Sequence, residues 1–173
     1  YAEASPAGYG GVSLVRISGP QAQPILASLA DTSTWPAHQQ RFCRLNLHEM
    51  TEQAFAAYHP APHSYTGEDV VEIGCHGNPL IVKHLLKAIH LSGLARLAAR
   101  GEFTRRAYLN GKIDLAQAEA VAALIDARSV AGIEMAAKLL GGELSGELGE
   151  LTVRLQDLLT LIEAAFVLDE AEL

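Results

Sequence analysis

The chain has 173 residues, 49% of them apolar and 19% charged, with a formal net charge of −7; this excludes a disordered chain and allows roughly 70% of the unfolded surface to be buried. No apolar run approaches the roughly 18 residues that a membrane-spanning helix needs. The charge is uneven, +2 over residues 1–113 and −9 over residues 114–173, so the second part is a poor surface for nucleic-acid phosphates and any RNA contact belongs to the first part or lies outside the chain.

Residues 12–18 alternate apolar and polar without a breaker until Gly19-Pro20, and read as a strand. Pro20 suits the first turn of a helix over residues 21–29, with Ile25, Leu26 and Leu29 on one face. Residues 31–40 are a polar loop. Residues 42–47 and 53–58 read as strands joined by a turn near Glu49, residues 60–67 as a turn-rich loop, and residues 69–74 as a further strand. Asn78-Pro79 combines a cap residue with proline at the first helical position, and Leu80, Ile81, Leu85, Leu86 and Ile89 form the stripe of the helix that follows. Residues 94–98 are the last expected strand.

From Ile113 the texture changes. Asp114-x-x-Gln117 resembles a capping box, and helix is expected to about Val130, then again over residues 134–140. After Gly141-Gly142, Leu144, Leu148, Leu151, Leu155, Leu158, Leu159, Ile162 and Phe166 recur at helical spacing. That stripe needs a partner, either the preceding helices or a segment outside the chain. The boundary falls near residue 112: the first part is α/β or α+β, the second all helical.

No phosphate loop of the form Gly-x-x-x-x-Gly-Lys-[Ser/Thr] occurs. Gly8-Tyr9-Gly10-Gly11 lacks the lysine and opens into a strand, so it reads as a tight turn or a close backbone approach. Cys43 and Cys75 form no disulfide framework and match no zinc spacing. With no secretory signal in view, a reducing cytoplasm is expected. Cys75 and His76 are neighbours on a strand, so they face opposite sides; a structural cysteine and a turn histidine are expected. His59 and His63 sit in a proline-rich loop without further ligand spacing, and no metal site is expected.

Three charges stand in apolar or tightly turned places. Arg16 shares a strand face with Val12 and Leu14, which is costly unless its charge finds a partner. Glu72 shares a face with Val70 and Gly74, and Gly74 would leave room beside the carboxylate. Lys112 immediately precedes the helix capped at Asp114, whose amides favour an anion. Each alone is more often a surface residue or an ion-pair partner. Together they suit an anion-bearing ligand with a donor-rich ring.

Three blocks carry a family resemblance: Gly10-Gly11-Val12-Ser13-Leu14-Val15-Arg16-Ile17-Ser18-Gly19-Pro20, Ala61-Pro62-His63-Ser64-Tyr65-Thr66-Gly67-Glu68-Asp69, and the run from Gly101-Glu102-Phe103 to Ala120. In this order they resemble the tRNA-modification GTPases called MnmE or TrmE, over essentially the whole chain. The resemblance implies an α+β domain over residues 1–112, similar to the tetrahydrofolate-binding fold of aminomethyltransferases, that dimerises and binds 5-formyl- or methylene-tetrahydrofolate. Residues 113–173 would begin an all-α domain into which a Ras-like GTPase domain, absent here, is inserted. The implied whole protein is a cytoplasmic homodimer that hydrolyses GTP with magnesium and potassium. With the FAD-dependent MnmG it would add an aminomethyl or carboxymethylaminomethyl group at C5 of the tRNA wobble uridine.

By motif, the family's folate contacts fall on Arg16, Glu72 and Lys112, with no catalytic residue on this chain. Glu72 would accept hydrogen bonds from the pterin, and Arg16 and Lys112 would neutralise the glutamate carboxylates of the ligand. Tyr9 stands where the family usually has arginine, and Cys75-His76-Gly77-Asn78 where it usually has Gly-His-Gly-Gly. Two other readings remain: a dimerisation scaffold with a vestigial folate pocket, and a stand-alone aminomethyltransferase-like enzyme using Glu68, Asp69 or His76 as acid or base.

Overall fold

The computed structural model describes residues 1–171, with side chains through residue 164. Five strands, β1 (Ala2–Glu3), β2 (Gly10–Ser18), β3 (Gln40–Asn46), β4 (Thr51–His59) and β5 (Val70–Gly77), join into one sheet in the order β1-β2-β5-β4-β3. Every strand pair is antiparallel. This unit is therefore α+β, since α/β architecture requires parallel strands joined by helical crossovers.

Helices α1 (Ala22–Leu29) and α2 (Pro79–Leu91) cover one face of the sheet. Val15, Ile17, Leu45, Ala56, Val71 and Ile73 are buried there with Ile25 and Leu26 of α1 and Leu85 and Ile89 of α2. The start of α2 follows from its sequence: the Asn78 side chain accepts the Leu80 amide at 2.9 Å, and Pro79 occupies a position whose amide would be unpaired in any case.

The strand period of two turns the other residues to the opposite face. Val12, Leu14 and Arg16 of β2 lie there with Glu72, Gly74 and His76 of β5, and with Phe55 and Phe42 across β4 and β3. Two glycines are demanded by close approach. A Cβ on Gly74 would sit 2.0 Å from Phe55 Cζ, and one on Gly77 would sit 2.5 Å from the Gly10 carbonyl oxygen. Gly74 thus leaves no vacant room beside Glu72; the Phe55 ring fills it.

The expected strand at residues 94–98 does not form. Ala98 donates one amide bond to the Tyr1 carbonyl, but β1 is only two residues long and offers no ladder. Instead α3 (Glu102–Leu109) follows, a short charged helix without the long apolar stripe that would have revealed it. It opens at Gly101, which adopts φ 69°, a conformation glycine accommodates at little cost.

A second compact unit begins at Ile113, with α4 (Leu115–Asp126), α5 (Val130–Leu140) and α6 (Glu143–Ala171). The capping box is present: Asp114 accepts the Gln117 amide at 2.9 Å, and the Gln117 side chain accepts the Asp114 amide at 2.9 Å. The Asp114 carboxyl lies below its ordinary range, first because Ser145 donates to it and then because the Gln117 amide does. Helix α4 stops short of Val130 because Ser129 caps α5 through the Gly132 amide. The stripe from Leu144 to Ile162 is exposed on α6, and no partner covers it among the described residues. The side chain of Phe166 lies outside them.

Candidate functional site

Arg16 and Glu72 meet as direct cross-strand partners. Arg16 donates from Nε at 2.9 Å and from Nη2 at 2.7 Å, both to Glu72 Oε1. Glu72 Oε2 takes no hydrogen bond among the described residues. The guanidinium lies 5.0 Å from the Tyr65 ring centre and 5.4 Å from that of Phe103, within cation–π range of both. Beside the pair is a cavity of about 290 Å³ lined by His59, His63, Ser64, Tyr65, Val70 and Glu72.

Tyr65, Ser64 and His63 come from the loop between β4 and β5, which is held down by polar bonds. Thr66 is fully buried and its hydroxyl meets Ser18 Oγ at 2.7 Å. Ser18 Oγ also lies 2.7 Å from Glu68 Oε2, and Asn110 Nδ2 donates to the Thr66 carbonyl at 2.7 Å. Lys112 Nζ donates to the Pro62 carbonyl at 3.1 Å. Its methylenes cross Gly67, where a Cβ would come within 3.2 Å of Lys112 Cγ and where φ is 75°. Arg16 and Glu72 are therefore brought together, whereas Lys112 braces the loop backbone. Nor does a bare helix end await an anion after Lys112, because Asp114 already caps α4.

A charge network underlies this loop, and motif reading missed it. Arg106 donates from Nη1 to both Glu68 oxygens, at 3.1 and 2.9 Å, and from Nη2 to Glu102 Oε1 at 2.7 Å. Arg96 grips Glu102 with two bonds of 2.9 and 2.7 Å, and the Ala99 amide adds a third at 2.7 Å. Arg96, the Ala99 amide and then Arg106 hold the Glu102 carboxyl far below the ordinary carboxylate range. Glu102 in turn raises the pKa of Arg106. The Glu102/Arg106 spacing of four was a readable helical ion-pair signal; the link to Glu68 was not.

At the Gly77 end of β5, Glu52, which alternates with Ala54 and Ala56 on the buried side of β4, accepts from the His76 backbone amide at 3.0 Å and from His76 Nδ1 at 2.6 Å. His76 stands on β5 rather than in a turn. Cys75 faces the opposite side and is buried, with its thiol pushed up to about 11 chiefly by desolvation. No group of three metal-ligating side chains occurs among the described residues, and no helix among them is long and apolar enough to cross a membrane.

The family described as the GTP-binding protein TrmE N-terminus matches residues 1–112. A "tRNA modification GTPase MnmE" of Saccharophagus degradans is 44% identical to 98% of the chain. Proteins of the same name from Moorella thermoacetica and Legionella pneumophila (strain Corby) are also 44% identical, over 94% and 98% of the chain. The chain spans only 37% to 38% of the length of these relatives.

Proposed function

This chain belongs to the TrmE amino-terminal family, and on that premise we propose that it is the folate-binding, dimerising part of a tRNA-modification GTPase. The observation that carries the reading is the asymmetric Arg16–Glu72 pair. One carboxylate oxygen is committed to Arg16, and the other lacks a protein partner at a cavity of about 290 Å³. A half-buried carboxylate oxygen can accept an N–H from a donor-rich ring such as a pterin. The donor set fits that group: Ser64, Tyr65, His59 and His63 line the remaining wall.

The roles differ from those the motifs imply. Arg16 fixes the orientation of Glu72 and is steadied between Tyr65 and Phe103, rather than neutralising a distant carboxylate. Lys112 holds the loop at Pro62. When bound, a formyl- or methylene-tetrahydrofolate supplies the one-carbon unit. The chain's own residues bind and orient the ring.

In the whole protein, GTP hydrolysis with magnesium and potassium resides outside this chain. The expected partners are a second copy, MnmG and tRNA, whose wobble uridine receives the (carboxymethyl)aminomethyl group in the cytoplasm.

Calorimetric titration with 5-formyltetrahydrofolate tests this reading. Saturable binding is expected, weakened by about 1.5–3 kcal/mol in Glu72→Gln, the scale of a charge-assisted bond. Unchanged affinity in that variant refutes the assigned role. A folded dimer without binding returns the scaffold reading, which the open sheet face with its exposed Phe42 favours.

A further inference from the structure

We propose that the groove around His76 is a second subsite on the same sheet face and receives the aryl-amide tail of the ligand whose ring meets Glu72. This rests on the folate reading above and extends it to residues that the motifs did not single out.

The first observation is a buried carboxylate with a single client. Glu52 is 6% exposed, and among the described residues its hydrogen bonds go only to the backbone amide and Nδ1 of His76. An ionised carboxylate can only accept, so His76 Nδ1 carries the proton. In the neutral ring this leaves the lone pair on Nε2, which has no hydrogen-bond partner in the described residues. The His76 side chain is 68% exposed. A buried acid that fixes the tautomer of an exposed imidazole presents an acceptor of defined direction.

The second observation is the shape of the surroundings. Gly11, Val12, Phe42, Gln53, Phe55 and His76 surround a cavity of about 350 Å³. Phe42 is 88% exposed and gives it a flat apolar wall, suited to an aromatic ring. The β2–β5 register shifts between Gly10 and Val12, opposite His76, and such bulges are frequent beside ligand sites, where they re-aim side chains.

The third is alignment. Glu72 and His76 lie on one face of β5, four residues apart, which is about 13 Å along a strand. The ring of Phe55 lies over Gly74 between them. A bicyclic head joined to an aryl amide is a ligand of that length. Its ring would lie against the phenylalanines, and one of its amine or amide N–H groups would donate to His76 Nε2.

The test compares two probes on the 173-residue chain: 5-formyltetrahydrofolate, which carries the tail, and 6-methyltetrahydropterin, which does not. Calorimetry is run on the unaltered chain, His76→Ala and Phe42→Ala; the Phe42 side chain is too exposed for its loss to threaten folding. Each variant is expected to weaken the folate by about 2- to 13-fold, the scale of one hydrogen bond or one aromatic contact. The pterin should bind all three proteins within twofold. The ¹⁵N resonance of His76 Nε2 should move with the folate and stay still with the pterin.

Equal weakening of both probes, or of neither, overturns the inference while leaving the Glu72 site standing. If the weakening tracks a lost dimer in sedimentation, the groove belongs to a second copy of the chain and the inference falls. If neither probe binds the unaltered chain, the folate reading itself fails and this inference with it.

Discussion

Replacing Gly74 by alanine tests the packing that shapes this face. The new Cβ would lie 2.0 Å from Phe55 Cζ and 2.3 Å from Cε2, about 1.5 Å short of ordinary carbon contact. Either the ring leaves its place over β5, or the two central strands separate. Overpacking of this kind costs about 1–3 kcal/mol, and the backbone on both sides of Gly74 is tied into ladders with β2 and β4, so the upper half of that range is expected. For a unit of this size, about 2 kcal/mol corresponds to a fall in Tm of roughly 8–10 °C. Phe55→Ala should itself cost about 1–2 kcal/mol through lost cover over the glycine. In the double variant the clash is gone, so its loss of stability should be at least 1 kcal/mol smaller than the sum of the two single losses. Urea unfolding followed by circular dichroism measures all three. Additivity within 0.5 kcal/mol would refute the claim that the ring and the glycine share one space.

Glu102→Gln should change the acid limb of the stability curve. The native carboxyl is depressed by Arg96, the Ala99 amide and Arg106, so its stabilisation is complete above the unfolded value of about 4.3 and is lost as pH falls toward the native value. The variant should be less stable at pH 7 and lose less between pH 5 and 2; parallel curves would contradict this. Cys43 and Cys75 are buried, with thiols pushed up to about 11, so a disulfide reagent at pH 8 should label both only as fast as the chain opens, and rapid labelling of the native chain would count against the burial. Leu148→Gln with Leu155→Gln on α6 should change stability by less than about 0.5 kcal/mol, as exposed substitutions do; a cooperative loss in thermal melting would reveal a covered stripe.

Local chemistry was legible where it closes within a few residues. Asn78-Pro79 and Asp114/Gln117 announce their helices because each cap bonds a backbone amide two or three positions away. Alternation placed Arg16 and Glu72 on strand faces, but not opposite each other, since register is decided by strand pairing across 56 residues of sequence. The same long range hid the bonds from Arg106 to Glu68 and from Lys112 to Pro62. Residues 94–98 have strand-like composition, yet a strand needs a neighbour, and β1 is too short to be one. Gly74 leaves space in the sequence alone, which shows the missing side chain but not the ring from β4 that replaces it.

On the proposed function, the unequal use of the two oxygens of Glu72 makes the pair a polarity filter. Arg16 offers only N–H groups, so in Glu72→Gln it would claim the amide oxygen and turn the –NH₂ toward the cavity. The substitution would then do more than weaken a contact: it would exchange an acceptor for a donor at an unchanged position. A chain altered in this single place should begin to prefer rings whose edge is made of acceptors, so the ligand's hydrogen-bonding sign is written in one atom and held there by its neighbour.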